Sequence, residues 1–331
     1  MVTVEPATPP QTPVDRQHRL DAAQHGSLAE HLIELTAQEI AHALRLPRAG
    51  AHMRVLTPFV RPLSRRFADL AAAFDTAIPV VGFREAVDRF TAHFVEGRET
   101  TDAESVPTKG PLIVASNHPG ATDAFAVIAS LPRDDAALVI SDVPITRALP
   151  HTSGRFIYVS GEMESHVAAV REMTDRLKGG GTVVIFPSAN LTPDPAIATE
   201  MGGPPDWTAK GDWRSLAKAT FARWSHSILL PLRRVPECRI QPAIVSGVQH
   251  PRFARHWLTR YIPASRPWER QLLAEVLQVM HQLRTGDSLG LRPHVRFGLP
   301  VEGRELAGLD RETAMAVLVE RAAQLLAAPA P

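Results

Sequence analysis

The sequence has little cysteine, almost no net charge and no long apolar run. Its one cysteine, Cys238, excludes a disulfide framework and a cysteine-based zinc site, and it fits a reducing compartment. The 36 basic and 35 acidic side chains leave a formal net charge of +1, which argues against a protein that coats nucleic acid. No stretch approaches the roughly 20 uninterrupted apolar residues of a membrane span. We therefore expect a cytoplasmic protein whose membrane contacts are peripheral, on the inner face of the membrane.

The chain is expected to have three parts. The first residues contain several prolines and acidic residues, whereas a signal peptide has a positively charged start and an apolar core. Residues 1–24 are therefore predicted to be a disordered tail. Helical signals predict an N-terminal helical region over 25–98. The remainder, 99–331, is predicted to be one domain. The 44% apolar content of the whole chain is enough for a large core.

Apolar runs and helical periodicities alternate from residue 111 onward, which predicts an α/β fold: a mixed sheet flanked by helices, preceded by an N-terminal helical segment. The expected strands are 112–115, 137–141, 155–159, 183–186, 228–232, 240–245 and 294–297. The expected helices are 163–177, 213–224, 267–284 and 311–326. In the helix 267–284, the apolar residues Leu272, Val276, Leu277, Met280 and Leu283 are expected to face inward.

One histidine stands where a strand ends and a helix begins. The strand 112–115 is followed by a turn at 117–120, whose Pro and Gly break both strand and helix patterns. A helix then starts at Asp123. This turn can fold Asp123 back towards the imidazole of His118, an arrangement that suits a general base held by a carboxylate.

A basic segment precedes this region. No acidic residue lies between Glu39 and Asp69, and apolar residues alternate with arginines there. The arginines are Arg45, Arg48, Arg54, Arg61, Arg65 and Arg66. Such a segment is typical of a helix that lies on an anionic membrane surface, although an ordinary helix with a solvated polar face has the same pattern.

Several blocks of sequence, taken in order, resemble the glycerolipid acyltransferases, the family that includes 1-acylglycerol-3-phosphate acyltransferase. The residues NHPGATD at 117–123 resemble the first signature of that family, which has the form NHxxxxD. GRFIYV at 154–159, VIFPS at 184–188 and IQPAI at 240–244 are similar to its second, third and fourth blocks. VRFGLP at 295–300 is similar to a late strand of the same domain.

The sequence departs from this family at two blocks. Ser188 and Ala189 stand where the third block has glutamate and glycine, and Ser160 stands where the second block has an arginine that grips the acceptor phosphate. Arg155 is nearby in sequence, but strand alternation places it on the opposite face, so we do not assign it the missing role. The resemblance therefore implies acyl transfer more firmly than it implies a glycerol-phosphate acceptor.

The resemblance implies that an acceptor hydroxyl attacks an acyl thioester, with His118 as general base and Asp123 orienting it. It implies acyl-CoA or acyl carrier protein as donor, a lysophospholipid or related lipid as acceptor, and neither a metal nor another cofactor. The substrate-binding residues that it implies are Asn117, Pro119, Gly120, Gly154, Arg155, Phe186, Pro187 and Ser188.

Two other functions fit the same residues. The missing arginine and glutamate are compatible with a catalytically degenerate protein that binds acyl lipids or a protein partner. A hydrolase that uses His118 and Asp123 on water is the other alternative. A covalent nucleophile at Ser116 or Ser188 is disfavoured, because neither serine lies in the Gly-x-Ser-x-Gly elbow expected of such a hydrolase.

Overall fold

The computed structural model describes residues 28–41, 49–120, 122–198, 213–263 and 265–327. It shows a mixed eight-stranded sheet with helices on both faces, which confirms the expected fold class. The strands are β1 Glu99–Thr101, β2 Leu112–Ser116, β3 Ala136–Ser141, β4 Phe156–Val159, β5 Thr182–Ile185, β6 Arg239–Ser246, β7 His294–Phe297 and β8 Val301–Glu302. The helices are α1 at 28–41, α2 Ala51–Val81, α3 Phe83–Thr91, α4 Asp123–Ser130, α5 Pro144–Arg147, α6 Pro150–Ser153, α7 Met163–Lys178, α8 Trp213–Phe221, α9 Pro251–Ala254, α10 Pro267–Thr285, α11 Gly303–Ala307 and α12 Arg311–Ala327.

The strand order is β1-β7-β6-β2-β5-β3-β4, and β8 pairs antiparallel with the first two residues of β6. β2 lies between β5 and β6 and runs parallel to both, and β3 runs parallel to β4 and β5. The carboxyl ends of these five strands therefore meet at one edge of the sheet. All five residues of β2 are buried, as expected for a central parallel strand.

Each face of the sheet is covered by helices. On one face, Phe74 of α2, Phe83 and Phe90 of α3 and Val127 of α4 share one apolar cluster with strand residues such as Val114. On the other face, α7, α8 and α12 pack against Ile113 and its neighbours. The N-terminal helices thus share a core with the sheet, while the division of the chain at residue 98 stays a prediction.

One predicted strand is wrong. Residues 228–232 lie in two short 3-10 helices, His226–Leu229 and Pro231–Arg233. Ile228 and Leu232 are nevertheless buried, at 0% and 1% exposure. A short apolar run does not distinguish a buried strand from a buried helical turn, and Pro231 cannot donate to a strand ladder.

The described part of the basic segment lies in α2. Arg54, Arg61, Arg65 and Arg66 are exposed there, and Arg61 also pairs with Glu30 of α1 at 2.7 Å. The described residues do not include Arg45, Arg48, the predicted tail 1–24 or residues 199–212. Among the helices that the structure describes, none combines the length and apolarity needed to cross a bilayer.

Candidate active site

His118 lies at the carboxyl edge of the sheet, directly after β2 and Asn117. Its side chain is 28% exposed, whereas that of Asp123, the first residue of α4, is fully buried. Nδ1 of His118 lies 2.8 Å from Oδ2 of Asp123, and the Gly120 N–H donates to the same oxygen at 3.0 Å. The turn at 117–120 therefore brings the two side chains together, with Nδ1 directed at the carboxylate and Nε2 left to face outward.

The charges around His118 make it a stronger base. Burial by itself lowers the pKa of His118, but the Asp123 carboxylate and its hydrogen bond outweigh burial and raise that pKa above its ordinary value of 6.5. Phe186, the residue after β5, stacks on the imidazole with ring centroids 4.6 Å apart and planes inclined by 27°. The imidazole is thus held at one edge by the Asp123 carboxylate and on one face by the Phe186 ring.

Backbone contacts hold the turn from both sides. The fully buried amide of Asn117 donates to Val245 O at 2.8 Å and accepts from Val245 N–H at 2.7 Å, so it joins β2 to β6. The His118 N–H donates to Thr192 Oγ1 at 2.8 Å, and His118 O accepts from Thr192 N–H at 2.7 Å. Asn117 therefore shapes the turn, with both ends of its amide used on the backbone.

Gly154 and Arg155 do not join the other predicted site residues. They precede β4 and so lie at the amino edge of the parallel strands, opposite the edge that holds His118. Arg155 Nη1 donates there to Asp134 O at 3.1 Å. The structure thus places Gly154 and Arg155 apart from His118, because strand polarity separates the two ends of β4, and their substrate-binding role stays a prediction.

The third block lies beside His118. Phe186 contacts the ring, and Pro187 and Ser188 follow it in a buried turn. Ser188 Oγ donates to Asn190 O at 2.7 Å, so this hydroxyl closes a loop. Ala189 adopts φ 54°, the left-handed conformation that favours glycine.

Part of the chain, which includes the His118 turn, matches a known protein-family model. Residues 97–220 match the family model described as Acyltransferase. This segment is therefore similar to the acyltransferase domain that the family model describes. The match includes β2, the His118 turn, α4 and the third block, and it confirms the resemblance to acyltransferases that these residues predicted.

The chain is also similar to a solved structure. The chain matches the 1-acyl-sn-glycerophosphate (LPA) acyltransferase PlsC from Thermotoga maritima with a TM-score of 0.41 and 14% identity, over 83% of this chain and 85% of that one. Comparison with curated proteins gives no match.

Helix α10 lies outside the matched segment and presents buried polar side chains to the His118 turn. Gln271 Nε2 donates to Pro119 O at 2.7 Å and to Thr192 O at 2.6 Å. The other buried members of this row are Glu275, Gln278 and Gln282. The sequence prediction placed Leu272, Val276, Leu277, Met280 and Leu283 inward, but the structure buries Leu283 and leaves the other four half-buried. The 4-3-4 spacing of the polar residues places them on one face of the helix, and the structure shows that this face is the inner one.

Glu275 is a buried carboxyl beside the His118–Asp123 pair. Its Oε1 lies 3.2 Å from the point where a Cβ on Gly120 would stand, so it packs against the turn itself. Burial, together with the Asp123 charge, raises the pKa of Glu275 from 4.5 to about 8, against the opposing effect of His118. Glu275 therefore keeps its proton at neutral pH.

We expect Glu275→Gln to stabilise the protein at high pH. Between 4.5 and about 8 the folded state holds a proton that the unfolded state releases, so the wild type loses stability as pH rises through this range. Glutamine cannot ionise and escapes that loss. Thermal unfolding should show the melting temperature of the variant several degrees above wild type at about pH 8, with the gap shrinking towards about pH 5. Glu305→Gln, at an exposed position, is the control; an equal gap at both pH values would contradict the buried-acid interpretation.

An apolar cavity adjoins the start of α4, next to the His118 turn. It has a volume of about 160 Å³ and includes Thr122, the residue before Asp123. Its aromatic lining consists of Phe67, Phe74, Phe90, Phe94, Phe125 and Phe156. Ala71 of α2 and Val279 of α10 also line it. A cavity with such a lining favours an apolar guest over water.

Proposed function

We propose that this protein transfers a fatty acyl group from acyl-CoA or acyl carrier protein to a hydroxyl of a lysophospholipid or related lipid acceptor. The observation that carries the proposal is the pair His118–Asp123, joined at 2.8 Å at the open edge of an acyltransferase-family domain. A half-exposed imidazole backed by a buried carboxylate is the arrangement that general-base catalysis needs. The reaction is expected to take place at the inner face of a membrane, where the lipid acceptor resides.

The proposed reaction uses Nε2 of His118. With Nδ1–H donating a hydrogen bond to Asp123, Nε2 is the basic nitrogen and takes the proton of the acceptor hydroxyl as the hydroxyl oxygen attacks the thioester carbonyl. The tetrahedral intermediate then collapses, the C–S bond breaks and the imidazolium returns the proton to the leaving thiolate. Asp123 stabilises the imidazolium between these two steps.

The acyl chain of the substrate is proposed to enter the apolar cavity beside Thr122. The cavity is formed by α2, α3, α4 and α10, so the N-terminal helical region contributes to donor binding. We expect Ala71→Leu to narrow it and to lower the rate with a long-chain acyl-CoA relative to a short-chain one by roughly tenfold or more.

The measurement for this variant is a competition between long-chain and short-chain acyl-CoA in one reaction. The ratio of products does not depend on how much enzyme is folded. Ala73→Leu, at an exposed position of the same helix, is the matched control. An unchanged ratio in Ala71→Leu would place the acyl chain elsewhere.

The residues at the ends of β3 and β4 bear on how the acceptor binds. Ser160 stands where a phosphate-gripping arginine is expected, and its N–H donates to Ser165 Oγ at 2.8 Å. Arg147, which follows β3 at the same edge of the sheet, already pairs with Asp142 at 2.5 Å and stacks 3.9 Å from the Tyr158 ring. These contacts favour an acceptor that binds without a dedicated arginine on its phosphate.

The test is mass spectrometry of lipids after incubation of the purified protein with an acyl thioester and a panel of acceptors. The panel contains lysophosphatidic acid, lysophospholipids with larger head groups and uncharged lipid alcohols. An acylated lipid that depends on the protein supports transfer and identifies the acceptor. Thiol release without an acylated lipid supports a hydrolase, and binding of the thioester with neither product supports the degenerate acyl-lipid-binding alternative.

A further inference from the structure

The segment after β6 exposes aromatic side chains between arginines. The exposed fractions are 59% for Trp257, 78% for Tyr261 and 39% for Trp268. The rings of Trp257 and Tyr261 also contact each other edge to face, with centroids 5.8 Å apart. The exposed arginines of the segment are Arg252, Arg255, Arg260 and Arg266. We refer to these aromatic and arginine residues together as the aromatic-basic surface.

The charge of this segment is one-sided. Residues 250–270 contain five arginines and a single acidic residue, Glu269, whose side chain is only 11% exposed and lies 3.7 Å from Arg266. Tryptophan and tyrosine are the side chains that settle at the head-group level of a bilayer, and arginine attracts anionic head groups. The aromatic-basic surface therefore complements an anionic lipid surface in both charge and amphipathic character.

This surface lies beside the proposed active site. Trp268 precedes Gln271 by three residues on α10, which is less than one helical turn, and Gln271 donates to Pro119 O in the His118 turn. At the other end of the segment, the His250 N–H donates to Gln278 Oε1 at 2.7 Å. The same helix thus anchors both the aromatic-basic surface and the turn that carries the imidazole.

Other exposed apolar side chains lack this combination. Met163 and Val167 of α7 are 77% and 55% exposed, but exposed acidic residues, among them Glu162 and Glu164, stand beside them. Phe59 of α2 is 78% exposed among arginines, but no exposed tryptophan or tyrosine accompanies it in that helix, and Arg61 is paired with Glu30.

We propose that the aromatic-basic surface docks on an anionic lipid bilayer and thereby directs the His118 edge of the sheet towards membrane-embedded acceptors. The aromatic rings enter the head-group layer while the arginines contact lipid phosphates. The biological purpose of the contact rests on the proposed function, whereas the docking itself is measurable without turnover.

The test is sedimentation of the full-length protein with vesicles of phosphatidylcholine and phosphatidylglycerol at low salt. We expect the triple variant Trp257→Ala, Tyr261→Ala, Trp268→Ala to reduce the vesicle-bound to free ratio by roughly tenfold or more. An independent set, Arg252→Gln, Arg255→Gln and Arg260→Gln, is expected to reduce it about fivefold for each arginine removed. Vesicles of phosphatidylcholine alone should retain the wild type weakly.

The double variant Met163→Ala, Val167→Ala is the matched control and should sediment like wild type. Phe59→Ala shows what α2 contributes by itself. A water-soluble short-chain acyl thioester with a soluble acceptor reports folding and chemistry apart from docking, and its rate should be the same in every surface variant.

The outcomes separate the two proposals. Wild-type binding that both variant sets lose, with soluble turnover retained, supports docking. Wild-type binding that both sets lose in a protein without acyl transfer supports docking and overturns the proposed function. Sedimentation that neither set changes, or that only Phe59→Ala abolishes, overturns the aromatic-basic surface as the docking site.

Discussion

Replacing His118 with alanine is expected to lower kcat for acyl transfer by roughly 10²–10⁴-fold, the usual contribution of a general base. The hydroxyl of the acceptor is a poor nucleophile at neutral pH, and alanine leaves nothing at Nε2 to receive its proton. Because the imidazole is partly exposed and its backbone contacts to Thr192 do not involve the side chain, the fold should tolerate the change. Release of thiol and formation of acylated lipid, measured together, report the loss.

His294→Ala provides the comparison for this variant. His294 also lies at a strand terminus and is hydrogen-bonded, with Nε2 2.6 Å from Thr101 Oγ1, but it belongs to β7 and not to the His118 turn. It should retain wild-type turnover. Equal turnover in wild type and His118→Ala would remove His118 from the reaction.

Asp123→Asn is expected to be nearly as damaging, by roughly 10²–10⁴-fold in kcat. Asparagine keeps the size of the side chain and an oxygen for the Gly120 N–H, but it removes the charge that orients Nδ1 and stabilises the imidazolium. Asp310→Asn is the matched control, since Asp310 also starts a helix and accepts from Thr313 N–H at 3.0 Å without facing the site.

The pH profile gives Asp123→Asn a second, independent signature. The pKa of His118 is raised in the wild type because the Asp123 carboxylate outweighs burial, so kcat/KM should rise with pH through a limb that lies above 6.5. Without the carboxylate, burial prevails and the limb should move to lower pH, even as the plateau falls. A plateau that falls with no movement of the limb would mean that Asp123 acts only in folding.

The local part of the site could be predicted from sequence. Strand β2, the Pro-Gly turn and helix α4 are contiguous, so spacing alone brings Asp123 to His118. The polar face of α10 could not be assigned to the site, because Gln271 bonds to Pro119 and Thr192, which lie 152 and 79 residues away. Apolar periodicity pointed to the wrong face of that helix, since its inner positions bind backbone carbonyls instead of packing in an apolar core.

Strand polarity explains the remaining difference at the site. Sequence similarity placed Gly154 and Arg155 with the binding residues because they belong to the second block. Once β4 is known to run parallel to β3, only the end of β4 near Ser160 reaches the edge that holds His118. A pattern along the chain does not say at which edge of a sheet its first residue lies.

The amides that hold the His118 turn have a consequence for how the protein responds to salt. Gln271 and Asn117 are neutral and buried, so the position of the imidazole should be indifferent to ionic strength. Attraction between exposed arginines and lipid phosphates is screened within about 8–10 Å at physiological salt. Raising the salt concentration should therefore detach the enzyme from vesicles while leaving its chemistry intact, which makes recruitment and turnover two separately adjustable properties of one chain.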